Sequence, residues 1–183
     1  REHFVPRDKR EVAYIGENVS FEDGRVVIDP RILAKFLDFL DVRQDELVLD
    51  IASGLGYSSA VLSCLCEAVV ALEDDCIRVA EIEETVQEMG LDNICVQEGI
   101  LHEGAPQHGP YDVIMIQGAV EDIPDQVISQ LKNGGRIAAI FMDGRLGEAR
   151  IGYKFDGQIN WRFAFNAGAP VLKGFQKVNK FVL

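Results

Sequence analysis

The stretch Val48–Ser63, VLDIASGLGYSSAVLS, holds the residues best suited to chemistry. An apolar, strand-like run meets an acid, Asp50, and Gly54 and Gly56 follow one residue apart before a small-residue helix begins. Glycine at such a turn lets backbone approach a ligand or take positive φ. The start of the following helix offers unpaired N–H groups to an anion or a polar ligand. A second apolar run ends at Glu73, about where a ribose-binding carboxylate belongs. These features suit a dinucleotide, the phosphates of a nucleotide, or the methionyl end of S-adenosylmethionine. A tight strand-to-helix turn that holds no ligand needs the same glycines.

The elements that must position these residues follow from periodicity and punctuation. A helix starts at Pro30 with Asp29 as its cap, and Leu33, Phe36, Leu37 and Leu40 recur at helical spacing. A strand spans Leu47–Ile51, and the glycine turn leads into a helix reaching about Cys66. Ala68–Leu72 reads as a buried strand; Asp74 or Asp75 then caps a helix that Gly90 stops. Ile94–Gln97 and Val113–Ile116 are further strands. A helix follows Pro124 to about Lys132, and Gly134-Gly135 turns into a strand at Arg136–Met142. From Gly147 to Leu183 the pattern alternates without helical period, which predicts antiparallel strands. Strands alternating with helices predict an α/β fold with a doubly wound, mainly parallel sheet, ligands binding at the carboxyl ends of its strands.

The chain of 183 residues is read as a single domain. Residues 1–40 form a segment beside the substrate, 46–142 the ligand-binding core, and 147–183 the antiparallel strands. The net charge of −12, with no Lys/Arg run, disfavours a nucleic-acid or anionic-membrane partner. No apolar run reaches spanning length and no signal peptide is visible. Cys64, Cys66, Cys76 and Cys95 lack turn-rich spacing, so free thiols and a cytoplasmic location are expected. Cys64 and Cys66 also lack the gap of a zinc knuckle, with no nearby His, and no metal is expected. The sequence gives no oligomeric state. The chain opens on Arg1 rather than Met, which points to a segment upstream.

Two details favour the methyl donor over a dinucleotide. The third small position of the dinucleotide pattern is Ser59, and the later segments YDVIMIQGAVEDIP (Tyr111–Pro124) and QLKNGGRIAAIF (Gln130–Phe141) resemble the second half of class I S-adenosylmethionine-dependent methyltransferases. With REHFVP at the start, AYIGENV at Ala13–Val19, VVIDPRILAKFLDFL at Val26–Leu40, EGAPQHGPYDVI at Glu103–Ile114 and the terminal KFVL, the chain resembles the protein-L-isoaspartate O-methyltransferase family almost end to end. APVLKGF at Ala169–Phe175 and the final FVL look closest to an alphaproteobacterial-type branch. The resemblance implies the seven-stranded, Rossmann-like methyltransferase fold. It implies methylation of isoaspartyl carboxylates in damaged proteins or peptides, an ester that collapses to a succinimide, and S-adenosylhomocysteine as the other product. Carried over by position, Ala52, Ser53, Gly54, Gly56 and Tyr57 would wrap the methionyl part. Glu73 would take the ribose hydroxyls, Asp74 would lie near the adenine edge, Glu98-Gly99 would contact the adenine, and Gln117 would border the cofactor.

The sequence departs from the family at several of these places. Its Ser-x-Pro stretch is Ile28-Asp29-Pro30 here, with Ile28 in the serine position. Gly16 stands for the Asp of the early A-Y-x-D pattern, Ala52 for the first glycine of the turn, and Glu98 for an Asp. The family's further N-terminal helical segment is not among these 183 residues. A carboxylate nucleophile is already ionised at neutral pH and needs no general base. Catalysis then rests on positioning and water exclusion. Losing one orienting hydrogen bond to a charged group costs about 1.5–3 kcal/mol, roughly tenfold to a hundredfold in rate. Altered acceptor choice, or a weakly catalytic S-adenosylmethionine-binding protein, therefore stands beside isoaspartyl repair. Asp29 is either the helix cap or a charge that would repel an acceptor carboxylate. His102 and His108 are read as loop residues. Trp161, Phe163 and Phe165 alternate, so one strand face is aromatic. Glu81, Glu83, Glu84 and Glu88 read as the solvated side of a helix.

Overall fold

In the computed structural model, which describes residues 1–177, a seven-stranded sheet runs through the molecule. The terminal KFVL motif lies outside the described residues. Two short 3₁₀ turns, Glu2–Phe4 and Arg7–Val12, precede a small hairpin of β1 (Val19–Ser20) and β2 (Val26–Val27). Then come α1 (Pro30–Leu40), β3 (Leu47–Ile51), α2 (Tyr57–Ser63), β4 (Ala68–Glu73), α3 (Cys76–Met89) and β5 (Ile94–Glu98). The chain continues through β6 (Tyr111–Val120), α4 (Asp125–Ser129), β7 (Leu131–Asp143), β8 (Leu146–Phe155) and β9 (Gln158–Asn166).

The sheet order is β5-β4-β3-β6-β7-β8-β9. Pairs from β5 to β7 are parallel, and β8 and β9 add on antiparallel, as the tail pattern predicts up to Asn166; residues 167–177 form no strand, and Val171 makes a single parallel bridge to Ala119. The order reverses between β3 and β6, so the carboxyl ends of β3, β4 and β6 converge on one crevice. Apart from Asp50 and Glu73 near their carboxyl ends, β3 and β4 are apolar, because both faces of these central strands are covered. One core, with Leu49, Tyr111, Ile114 and Phe175, lies on one face; the other, with Phe36, Leu40, Leu62 and Ile140, lies on the opposite face.

Local chemistry sets the helix ends. Asp29 caps α1 by accepting from the Arg31 N–H at 2.8 Å, with Pro30 at the first position. Asp75, not Asp74, caps α3 by accepting from the N–H groups of Ile77 and Arg78, and Gly90 ends it at positive φ.

Three spans differ from the sequence reading. The helix after Pro124 stops at Ser129, and the Gly134-Gly135 segment is already strand, because parallel pairing with β6 begins at Leu131. The helix after the glycine turn ends at Ser63 rather than Cys66. The aromatic residues of β9 do not share one face. A register slip at Ala149/Arg150 places Phe165 against Phe36 and Phe39, while Trp161 packs edge-on against Phe141 on the other face. One extra residue in a strand reverses which face the following side chains meet. Phe163 is left 59% exposed.

Arg136 ties α1 to the sheet. From β7 it donates to the carbonyls of Leu40 (2.6 and 2.8 Å) and Asp41 (2.8 Å), and it pairs with both oxygens of Glu46. Those carbonyls end α1 and would otherwise lack donors. Arg136→Met is expected to lower unfolding stability by about 3 kcal/mol, since it strands a mostly buried Glu46. The Arg136→Met/Glu46→Met double variant should recover part of that loss in the same denaturant titration.

Candidate functional site

The glycine turn is built around a buried acid. Asp50, at the end of β3, accepts from Ser58 Oγ (2.5 Å) and Ser59 Oγ (2.6 Å) of α2 and from Gln117 Nε2 (2.8 Å) of β6. Three elements thus close on one carboxylate that has no exposure to solvent. Burial pushes its pKa up to about 6, against the lowering effect of the three donors, and the nearby Glu73 charge adds to the rise. Gln117 reaches Asp50 because β6 slips register against β7 between Met115 and Ala119, which frees its side chain from the regular pleat. The returning tail holds that irregularity: Leu172 N–H donates to the Ala119 carbonyl, and a Cβ at Gly118 would lie 2.6 Å from the Leu172 side chain.

The turn itself consumes its donors. The N–H groups of Ala52 and Ser53 donate to the Leu72 carbonyl, Gly56 N–H donates to the Ser53 carbonyl, and Gly54 N–H donates to Glu73 Oε2 at 2.8 Å. Gly54 and Gly56 have positive φ, as their role requires. Ala52 also has positive φ (64°), so the alanine that replaces the family's first glycine keeps the glycine conformation.

Glu73 is fully buried and heavily paired. Arg25, from the β1–β2 loop, spans both its oxygens, with Nη2 donating to Oε2 at 2.8 Å and Nη1 to Oε1. Arg78 Nη1 approaches Oε1 at 3.4 Å, and Asp74 N–H donates to Oε1 at 3.2 Å. Asp74 is more exposed, also pairs with Arg25, and burial beside Glu73 raises its pKa. Glu98 aligns with Glu73 across the β4–β5 ladder, and Gly99 N–H donates to the Glu73 carbonyl. A Cβ at Gly99 would lie 3.1 Å from Leu72.

The strap of residues 19–28 covers this crevice. Ile28 is buried with Val26 and Leu33 in the core over α1. Asp29 has both oxygens on Arg31, whose Nη2 lies 3.0 Å from Oδ2. Burial disfavours its charge, but the Arg31 side chain and N–H together hold its pKa below the usual carboxylate value. Asp29 is thus the helix cap and an ion-paired group at once, its charge offset by Arg31. Pro30 opens α1 directly behind it. Between strap and turn, the cleft lined by Val27, Ile28, Ala52, Gly54, Tyr57 and Gln117 measures about 10 Å³. His108 meets Gln97 Oε1 at 3.1 Å.

The structure thus gathers Ile28, Ala52, Ser53, Gly54, Tyr57 and Gln117 around one cleft, with Glu73 beside it on Gly54 N–H, while Asp29 lies outside that lining on Arg31. Sequence reading missed Asp50, Ser58 and Ser59 as a network, and Arg25 and Arg78 as partners of Glu73. An acid inside an apolar strand with two serines one helical turn into the next element was the available signal. Arg25 carried none, because its contact with Glu73 joins segments 48 residues apart; Arg78 follows Glu73 in the next helix but reads there as a surface charge. The residue types fit an adenosyl ligand: positive-φ glycines, an acid at the end of β4, and an amide at the end of β6. The acceptors and donors are spent on each other, and 10 Å³ is room for about one water, against a few hundred Å³ for a ligand pocket.

Comparison with known proteins agrees with this geometry. The family model "Protein-L-isoaspartate(D-aspartate) O-methyltransferase (PCMT)" matches residues 1–146. A protein-L-isoaspartate O-methyltransferase of Myxococcus xanthus is 35% identical over 137 residues, 75% of this chain and 65% of the relative. A relative with the same description from Methanoculleus marisnigri is 34% identical over 143 residues, 76% of this chain and 63% of its own length. The chain spans less than two thirds of the length of both. A solved structure described as a protein-L-isoaspartate O-methyltransferase superposes with a TM-score of 0.82 at 24% identity, over 95% of this chain and 58% of that one. A Plasmodium falciparum PCMT structure in complex with S-adenosyl-L-homocysteine gives 0.79 at 17% identity, over 94% and 85%. These two likenesses establish the fold.

Two outcomes follow from the turn. Ala52→Gly is expected to raise unfolding stability by about 1 kcal/mol, because a Cβ in the left-handed region costs more than glycine's extra unfolded freedom. A shift in the denaturation midpoint reads it. Asp50 binds its proton more tightly folded than unfolded, so its contribution is full below its ordinary value of 3.8 and is lost as pH rises through about 6. That displacement corresponds to about 3 kcal/mol. Asp50→Asn should remove this decline. The difference between wild-type and variant stability, measured from pH 4 to pH 7.5, isolates it from Asp23, Asp29 and Glu46, whose lowered pKa values act at lower pH.

Proposed function

The chain belongs to the protein-L-isoaspartate(D-aspartate) O-methyltransferase family, and on that premise we propose that it methylates the carboxylate of L-isoaspartyl residues in damaged proteins or peptides. The observation that carries this is coincidence of place. The family match runs through the segments that converge at the carboxyl ends of β3, β4 and β6. When bound, S-adenosylmethionine supplies an electrophilic sulfonium methyl group and leaves as S-adenosylhomocysteine. Ala52, Ser53, Gly54, Gly56 and Tyr57 would hold its methionyl part, Glu73 its ribose, and Asp74, Glu98 and Gly99 its adenine side. Gln117, held on Asp50, would border it.

The protein's own contribution is positional. An acceptor carboxylate is ionised at neutral pH, so no residue need remove a proton. Ile28 and its apolar neighbours exclude water beside the reacting groups, which strengthens charge interactions there. Arg31 offsets the Asp29 charge that would otherwise repel an acidic acceptor. A second reading, a methyltransferase of the same lineage with another acceptor, is favoured by Ile28, which offers no hydroxyl to orient a carboxylate.

The whole chain, 1–183, is read as one methyltransferase unit acting in the cytoplasm without a nucleic-acid partner, in keeping with its net charge of −12 and four free thiols. No helix among the described residues is long and apolar enough to cross a membrane. The affinity to an alphaproteobacterial-type branch rests on the Ala169–Phe175 motif alone within those residues. The matched relatives come from varied bacteria and an archaeon.

The deciding assay is transfer of labelled methyl from S-adenosylmethionine to an isoaspartyl peptide, with the matched aspartyl peptide as control. Base-labile label on the isoaspartyl peptide alone is the expected result. Label on neither, with folded protein, excludes repair as the main activity.

A further inference from the structure

The strap is latched shut over the site by residues that the fold does not otherwise need. Its loop makes two crossed ion pairs with the body: Arg25 onto Glu73 and Asp74, and Asp23 Oδ2 accepting from Arg78 Nη2 at 2.5 Å. Phe21 is wedged between them. The Arg78 guanidinium lies over its ring at 4.6 Å, and a Cβ at Gly54 would meet that ring at 3.1 Å. The loop is braced internally by Arg25 N–H donating to Asp23 Oδ1 at 3.0 Å and by Phe21 N–H donating to the Arg25 carbonyl at 2.7 Å.

The strap's apolar side chains, Val19, Phe21, Val26, Val27 and Ile28, are buried, but three features set its ion-pair latch apart from that packing. The hairpin consists of two-residue strands that pair with each other and not with the main sheet, and such a hairpin has little stability of its own. The latch is incompletely satisfied, because Arg25 Nε is buried with no acceptor. Most telling, it uses up the groups that the proposed ligand requires. Arg25 occupies both oxygens of Glu73, Gly54 N–H is turned onto the same carboxylate, and the cleft beneath the strap has closed to about 10 Å³.

We propose that Arg25 is a gating residue, whose pairing with Glu73 holds the β1–β2 strap closed and competes directly with the adenosyl ligand for that carboxylate. The inference rests on the cofactor reading above. In the closed form Glu73 has no free acceptor for a ribose hydroxyl. Ligand therefore binds the fraction of molecules in which Arg25 has withdrawn, and the apparent dissociation constant is the intrinsic one divided by that fraction. Arg78 belongs to α3 and not to the strap, so it can remain on Glu73 when Arg25 and Asp23 leave together, and the buried charge is not abandoned.

The experiment is calorimetric titration of S-adenosylhomocysteine into the wild-type chain, Arg25→Met and Arg25→Lys, with hydrogen exchange of residues 19–27 in the ligand-free proteins. Arg25→Met should bind about tenfold more tightly or better, and its strap should exchange faster than wild type. Arg25→Lys keeps the positive charge beside Glu73 but cannot span both oxygens, so it should also tighten binding, by less; it serves if the methionine variant does not fold. Wild type that binds, with variants that bind equally or more weakly, overturns the gate and makes Arg25 a support for Glu73, leaving the cofactor reading intact. No binding by any of the three, with faster strap exchange in the variants, overturns the cofactor reading itself and the gate with it.

Discussion

The buried Asp50 carboxylate is the constraint around which the crevice is organised. A charge with no solvent must be given donors from the protein or be neutralised. Asp50 receives two hydroxyls from the first turn of α2 and an amide from the irregular end of β6. Satisfying it therefore fixes where α2 starts, and so the path of the Ala52–Gly56 turn. It also fixes where β6 must leave regular pairing, and so the need for the tail at Pro170–Phe175 to cover that irregularity. Small residues at positions 58 and 59 are required by this geometry, since only a short hydroxyl-bearing side chain reaches back to β3 from there. The serine that weakens a dinucleotide reading is the residue that the acid needs.

Glu73 solves the same problem differently. It sits at the end of the neighbouring strand, also without exposure, yet it is met by guanidinium groups instead of neutral donors. Two buried acids side by side repel, and the Glu73 charge raises the cost of charging Asp50. Neutral donors suffice for Asp50 because its pKa is free to rise to about 6, where protonation becomes an alternative to charge. For Glu73 the cations come from the strap and from α3. One acid is met by neutral donors within the sheet and the next helix, the other by guanidinium groups from two separate elements.

This division explains what was legible in the sequence. The parallel order, the crevice at the β3 and β4 ends, the caps at Asp29 and Gly90, and the antiparallel tail all follow from patterns within about 15 residues, where periodicity and turn chemistry act. The short α4 was misread because the segment after it, LKNGGRIAAIF, pairs with β6 from its first residue, a constraint that no local propensity reports. The faces of Trp161 and Phe165 were misread because a register slip interrupts strict alternation. Within the site, Gly54, Gly56 and Glu73 stand out by type and spacing. Arg25 does not, because its contact with Glu73 crosses 48 residues and a lone arginine in a turn looks like any surface charge.

The departures from the family pattern also sort by place. On the cofactor side the change is conservative in effect: Ala52 replaces glycine yet holds positive φ, so the turn keeps its path at some cost in strain. On the acceptor side the changes form one physical unit. Arg31 both pairs with Asp29 and donates to the Gly16 carbonyl, and a Cβ at position 16 would press on its guanidinium at 3.1 Å. The missing acid at position 16 and the acid at position 29 are therefore not independent: glycine makes room for the arginine that neutralises the cap. Ile28, between them in the chain, turns inward to the α1 core and takes no part in a polar contact with its side chain. The acceptor side has thus exchanged a hydroxyl for a capped ion pair over an apolar floor, while the cofactor side has kept its backbone path. On the reading proposed above, the first change would bear on the methyl donor and the second set on the acceptor, and the two involve different residues of the crevice.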